Sequence, residues 1–294
     1  MSSRQQHLAF LCLGTMGYPM AGHLARAGHR VRVYNRTETT TRKWIEEFAK
    51  YSPQHAATPA EAAHGADAVF VCAGNDDDLR EVVLGEGGAL GAMKRGATLV
   101  DHTTVSPKIA REIYAEAQAK GIGFLDAPIS GGQAGAENGA LTIMVGGDED
   151  VYQLVIPWLE CYGKMHLRMG PSGAGQLTKA VNQICIAGLV QALAEGLAFA
   201  ERAGLDGERV VEVISKGAAQ SWQMENRHKT MLAGKYDHGF AVDWMRKDLA
   251  IALSVAEEIG APLPVTAAVD ELYREVQTRG GGRLDTSSLK TLLD

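Results

Sequence analysis

Residues 7–27 leave this chain few ways to fold. An apolar run at 7–13 ends in Cys12-Leu13-Gly14-Thr15-Met16-Gly17. Apolar residues then recur at helical spacing over 16–27, up to Gly28, which is placed to close the helix. A strand that passes through a glycine turn directly into a helix points the unbonded N–H groups of the first helical turn outward, and anions bind there. The spacing fills two of the three glycine places in G-x-G-x-x-G. Gly14 stands where backbone comes close to a pyrophosphate, and Gly17 where the helix packs close on the strand. Cys12 occupies the first place. Leu13, Gly14, Thr15, Met16 and Gly17 are therefore predicted to touch a dinucleotide; an ordinary strand–turn–helix is the competing reading.

The first half continues in the same manner. Strand-like segments at 30–34, 67–73, 97–101, 122–126 and 141–145 alternate with helical ones near 38–50, 76–83 and 107–120. That order predicts a Rossmann-type doubly wound α/β domain, with a parallel sheet, helices on both faces and right-handed crossovers. Beyond 175 the pattern changes. A proline-free segment at 175–203 reads as one long helix ended by Gly204, and helical patterns follow at 207–216, 221–233, 240–259 and 263–279. The boundary is placed at Gly170-Pro171-Ser172-Gly173. It separates a dinucleotide-binding domain, 1–169, from an all-helical C-terminal domain, 170–294, joined by the long helix. For 294 residues two domains is the ordinary number.

Composition removes several classes. With 29 Lys and Arg against 35 Asp and Glu the chain carries a charge of −6, which argues against nucleic acid or a membrane surface as partner. After Arg4 the apolar run is too short to span a bilayer, and it leads into a glycine turn instead of a signal-peptide cleavage site. No other stretch reads as long enough to span. The 4 cysteines are scattered without C-x-x-C, so a reduced cytoplasmic protein is expected. The 9 histidines include no ligand-spaced pair, so no metal is expected. Glycine is in excess at 34 residues. It clusters at Gly14 and Gly17, from Gly131 to Gly139, and at Gly173 and Gly175, places where backbone is expected to meet ligand.

The second strand ends in Tyr34-Asn35-Arg36-Thr37, roughly 20 residues beyond the glycine turn, where NAD-preferring proteins carry an acid for the ribose 2′-hydroxyl. Asn35, Arg36 and Thr37 in that place favour NADP over NAD, since Arg36 could pair with a 2′-phosphate and stack on adenine. A solvated surface arginine is the alternative.

Four motifs in order then match one family. LGTMGYPMAGHL at 13–24, DAPISGGQAGAENGALTIMVGG at 126–147, GPSGAGQLTKAVNQ at 170–183 and MRKDLAIAL at 245–253 together resemble the β-hydroxyacid dehydrogenases. These are the 3-hydroxyisobutyrate dehydrogenase-like enzymes, tartronate semialdehyde and succinic semialdehyde reductases among them. The resemblance covers nearly the whole chain and departs at Cys12, where the family has glycine. It implies hydride transfer between NADP(H) or NAD(H) and a small 3-hydroxy acid or semialdehyde. The apolar faces of the long helix and the helical half lead to the expectation of a homodimer or homotetramer.

Such a reaction exchanges a proton with the substrate oxygen as the hydride moves. The resemblance assigns that proton to Lys179. A lysine on an apolar helix is unusual unless paired. It titrates at about 10.4 in water, and burial lowers that; snorkelling to the surface is the competing reading. Asn182, one turn on, is implied to bond Lys179 or the substrate hydroxyl. Ser130, Gly131 and Gly132, after the strand 122–126, are implied to cradle the substrate carboxylate, and Gly175 to let substrate approach the helix. Cys72, Ala73, Asn75 and Thr104 at other strand ends, with Phe240 and Lys247 from the helical half, are implied to line the cofactor. Asp248 is implied to hold Lys247, a surface ion pair being the alternative. Phe240 and Trp222 could also cover the substrate; a core aromatic is the alternative for both and the expected one for Trp222.

Two rivals remain. An imine reductase of the same fold is opposed by the retained Lys179, which such enzymes replace. A non-catalytic dinucleotide-binding protein is favoured only by Cys12.

Overall fold

The computed structural model describes residues 5–294; residues 1–4, Arg4 among them, lie outside the described residues. Two compact units divide the chain, 1–179 and 180–294.

The first unit begins with β1 (His7–Leu11), α1 (Gly17–Arg26), β2 (Arg30–Tyr34), α2 (Glu38–Glu47), β3 (Gln54–His55), α3 (Pro59–Ala63) and β4 (Ala68–Val71). It continues with α4 (Asp76–Leu84), α5 (Ala89–Ala92), β5 (Thr98–Asp101), α6 (Pro107–Ala119), β6 (Gly123–Asp126), β7 (Ile129–Ser130) and α7 (Gly132–Glu137). β8 (Leu141–Gly147), α8 (Glu149–Leu159) and β9 (Gly163–Gly170) complete the sheet, whose order is β3-β2-β1-β4-β5-β6-β8-β7 with β9 paired to β8.

Strands β1 to β6 run parallel, as the alternating pattern predicts. β4 and β5 are buried along their whole length, as central strands covered on both faces must be, and this explains their near-continuous apolar sequences. Phe10 of β1 pairs with Val33 on one side and Phe70 on the other. The apolar sides of α1 and α8 cover one face around Met20, Leu24 and Val155. Leu79, Ile109 and Ile113 of α4 and α6 cover the other. β8, expected as a further parallel strand, runs antiparallel to β6 and β7. Only a two-residue strand and a six-residue helix lie between β6 and β8, so the chain folds back instead of crossing over.

The long helix α9 (Ala174–Arg202) begins in the first unit and continues into the second. Its opening turns pack on the sheet, which is why compactness divides the chain within α9 and not at the compositional boundary before it. α10 (Gly207–Ile214), α11 (Trp222–Leu232), α12 (Val242–Ile259), α13 (Pro264–Thr278) and a 3-10 segment, Thr286–Leu292, follow. Their core gathers Val190, Leu197, Met245, Leu249 and Tyr273. α9 corrects one expectation, because it is long and apolar enough to cross a membrane by length and composition. Half of the qualifying window is buried inside the protein.

Candidate functional site

The turn after β1 is tied down from β2. Cys12 N–H donates to Tyr34 O at 2.9 Å, and Leu13 N–H to Asn35 Oδ1 at 2.9 Å. The Asn35 amide also donates to Thr37 O at 3.1 Å, so Asn35 fastens the turn to the end of β2. Cys12 has φ of +71°, the left-handed region that glycine tolerates and other residues resist. A Cβ at Gly17 would lie 2.1 Å from Cys12 O, so glycine there is demanded by helix–turn packing. A Cβ at Gly14 would meet no protein atom within 4 Å, so packing does not demand glycine there. Close approach by a ligand would. No side chain caps the start of α1, although Tyr18 N–H donates to Gly14 O at 3.0 Å, and a helix start without a side-chain cap can take an anion. These features fit the pyrophosphate of a dinucleotide. Arg36, 83% exposed, reaches Asp78 only at 3.7 Å, a solvated pair that a 2′-phosphate could displace. The Cys12 thiol is pushed up to about 12, first by burial and then by the Asp78 carboxylate.

Other strand ends converge on the same side of the sheet. Ala73 N–H donates to Thr103 Oγ1 at 2.9 Å. Asn75 caps α4 by accepting from Asp78 N–H at 2.8 Å. Two residues that sequence reasoning did not single out, Asp126 and Gln176, seat α9 on this edge. Asp126 ends β6 and accepts from Gly173 N–H at 2.7 Å and Gln176 N–H at 3.0 Å. Burial pushes its carboxyl up to about 6 against the opposing pull of those backbone donors. Gln176 accepts from Val105 N–H at 3.1 Å and donates to Thr103 O at 2.8 Å, so the loop holding Thr104 is stitched to α9. An acid at the end of a strand, ahead of a glycine-led helix, is a signal that could have found Asp126. Gly175 departs from its expected role. A Cβ there would stand 2.5 Å from both Asp126 O and Met144 O, so its surroundings are backbone and leave no room for substrate.

Lys179 follows one turn later. It is buried, and its Nζ donates to Ile129 O at 2.9 Å, so it does not snorkel. Ile129 leads into Ser130, which pairs with Thr142, and then into Gly131 and Gly132 with φ of +132° and +63°. Only glycine takes both conformations readily. The segment before Ile129 is pinned by His102, whose Nδ1–H donates to Ala127 O at 2.7 Å and whose Nε2 accepts from the Tyr162 hydroxyl at 2.8 Å. Burial pulls the His102 imidazole down to about 4, so it is neutral at physiological pH.

In the second unit Asn182 donates from Nδ2 to Gln183 Oε1 at 2.7 Å, and Gln183 donates from Nε2 to Asp248 Oδ2 at 2.7 Å. Asp248 is buried and its Oδ1 lies 3.2 Å from Lys247 Nζ, so the pair is not a surface one. Phe240 packs against the helical core, and its N–H donates to Asp285 Oδ2 at 2.9 Å. Arg227 grips the same carboxylate at 2.9 and 3.0 Å. Trp222 is not a core residue. It is 54% exposed at the start of α11, with the Arg227 guanidinium 5.1 Å from its ring.

A parallel sheet whose first strand passes through a glycine turn into a helix fits a dinucleotide-binding protein. Comparison with known proteins narrows this. The family described as the NAD binding domain of 6-phosphogluconate dehydrogenase matches residues 7–170. That described as NAD-binding of NADP-dependent 3-hydroxyisobutyrate dehydrogenase matches 173–293. The chain is 61% identical to an uncharacterized oxidoreductase of Shewanella frigidimarina over 98% of each chain. It is 36% identical to the 2-hydroxy-3-oxopropionate reductase of Escherichia coli, over 98% of this chain and 97% of that one. The structure of Mycobacterium tuberculosis 3-hydroxyisobutyrate dehydrogenase with L-serine superposes with a TM-score of 0.88 at 29% identity, covering 99% of both chains. The chain belongs to the β-hydroxyacid dehydrogenase family, in its 3-hydroxyisobutyrate dehydrogenase-like group.

Proposed function

We propose that this oxidoreductase interconverts a small 3-hydroxy acid and its semialdehyde, prefers NADP to NAD, and uses Lys179 as the group that gives and takes the proton. The observation that carries this reading is the buried Lys179, its Nζ held by the Ile129 carbonyl, directly before Ser130-Gly131-Gly132. The relatives support the substrate class. The E. coli protein is named for a 2-hydroxy-3-oxopropionate, and L-serine, present with the M. tuberculosis enzyme, is itself a 3-hydroxy acid.

The nicotinamide dinucleotide, when bound, supplies the hydride donor or acceptor. Leu13 to Gly17 would hold its pyrophosphate on the start of α1, and Arg36 and Thr37 the adenosine end. Cys72, Ala73, Asn75, Thr104, Phe240 and Lys247 are assigned to the rest of the cofactor. Ser130, Gly131 and Gly132 bind the substrate carboxylate, and Asn182 the reacting oxygen or its lysine. In reduction Lys179 gives a proton to the carbonyl oxygen; in oxidation it takes the hydroxyl proton back. A panel of 3-hydroxyisobutyrate, glycerate, 4-hydroxybutyrate, serine and a sulfonate analogue, assayed with both cofactors, tests the reading. Turnover of at least one, faster with NADP, is expected; none with either cofactor defeats it. Lys179→Ala is expected to lower kcat by about 100-fold to 10,000-fold. A variant that keeps most of its activity removes Lys179 from the mechanism.

The same reading includes a homodimer or homotetramer in the cytoplasm. Its support is the exposed side of α9, where Val181, Cys185, Leu189, Ala192, Gly196 and Phe199 recur at steps of three and four. None of the described cysteines is in a disulfide, which suits a reducing compartment.

A further inference from the structure

Asn182 can serve the reacting centre in two ways, because one edge of its carboxamide donates and the other accepts. Which edge it offers is set by the residues behind it. Gln183 is buried, and its Nε2 donates to Asp248 Oδ2 at 2.7 Å and lies 3.8 Å from Met245 Sδ. An ionised carboxylate only accepts, so the Gln183 amide cannot be reversed without setting oxygen against oxygen in a buried place. That leaves Gln183 Oε1 toward Asn182, and it accepts from Asn182 Nδ2 at 2.7 Å. The same argument then fixes Asn182, whose reversal would again oppose two oxygens. The charge at Asp248, itself paired with Lys247 at 3.2 Å, thus sets the direction of the whole row.

We infer that Gln183 and Asp248 are positioning residues that hold Asn182 with its Oδ1 turned away from Gln183, as the acceptor for the Lys179 ammonium. This rests on Lys179 being the acid/base group. An ammonium carries donors and no acceptor, so only the oxygen edge of Asn182 can serve it. Asn182 lies one turn along the same helix from Lys179, the spacing at which helical side chains meet. Ile129 O takes one ammonium hydrogen, and on this inference Asn182 Oδ1 takes a second.

Two variants of Gln183 test this in the full-length enzyme. Gln183→Leu keeps the approximate volume and removes the acceptor that faces Asn182. Gln183→Glu keeps an oxygen there. Gln183→Leu is expected to lower kcat by about 10-fold to 100-fold with the KM for cofactor nearly unchanged, as misplacement of a reacting group does. Gln183→Glu is expected to recover most of that loss, although a buried acid beside Asp248 makes it the less stable fold. A purely structural Gln183 would give the opposite ranking, with activity following stability. A direct readout needs no turnover. In 15N-labelled wild type the Asn182 side-chain amide protons should exchange slowly with solvent, and Gln183→Leu should abolish that protection. Wild-type kcat in Gln183→Leu, equal loss in both variants, or unprotected Asn182 amide protons in the wild type would each overturn the inference. If Lys179→Ala stays active, the acid/base assignment falls instead, and the exchange measurement still reports whether the row is ordered.

Discussion

Cys12 sits in a backbone conformation that suits glycine, in the turn between β1 and α1, with φ of +71°. A side chain in that region costs about 1 kcal/mol. Cys12→Gly should therefore raise stability by up to about 1 kcal/mol in urea unfolding, less the contacts of the lost thiol. NADP affinity, followed by fluorescence titration, should stay the same or tighten; a clear weakening would mean that the turn has another role. His102 offers a test of opposite kind. Its imidazole falls from an unfolded value of about 6.5 to about 4 in the native state. The native state then binds fewer protons over that range, so the contribution is complete above about 6.5 and is lost as pH falls toward 4. Urea unfolding between these limits should show wild type losing on the order of 3 kcal/mol more than His102→Asn. An identical pH dependence would show that His102 is not buried neutral. The strand–turn–helix at the start of the chain was legible because its signal is local: Gly14 and Gly17 carry it within a few residues of the strand. His102 was not, since its partners Ala127 and Tyr162 come from distant segments.

Among the elements, the seat of α9 is the sharpest case. Asp126 binds the N–H groups that open this helix, and burial raises its carboxyl to about 6 from an unfolded value near 4. The sign is the reverse of that for His102. The native state holds the proton more tightly, so the contribution is complete below the unfolded value and is lost as pH rises through about 6. Asp126→Asn should destabilise at every pH, because an amide cannot accept from both donors. Its penalty in urea unfolding should be greater at pH 4.5 than at pH 7; a penalty that grows with pH would show that the carboxylate is the favoured native form. Elements with strong periodicity, from β2 to α13, were legible. β9 was overlooked although Lys164-Met165-His166-Leu167-Arg168-Met169 alternates as a strand should, and α8 was masked by Pro157 within it. β7 has two residues and no period to read. Gly175 was misread because glycine admits ligand and neighbouring backbone equally, and only the positions of Asp126 O and Met144 O decide between them.

For the molecule as a whole the open question is assembly. Val181, Leu189 and Phe199 are 60%, 43% and 73% exposed along one side of α9. Steps of three and four average near the period at which two helices keep one seam in contact. A second copy of α9 would bury that seam. Wild type should exceed the 31.4 kDa of one chain in light scattering, and Leu189→Glu with Phe199→Glu should lower the mass toward it. A monomeric wild type would end that proposal. Domain order and cofactor class could be read from the chain because each rests on consecutive segments. The Lys247–Asp248 pair could be read as well, since its members are adjacent; the link from Gln183 to Asp248 could not, since it joins a residue of α9 to one of α12.

The left-handed backbone at Cys12 has a consequence in the genetic code. Either cysteine codon becomes a glycine codon by changing its first base from T to G. The best-tolerated residue for that conformation is thus one point mutation away, within reach of ordinary error-prone replication. A randomly mutated library of this gene, selected only for survival on heating, should return Cys12→Gly among its early single-base solutions.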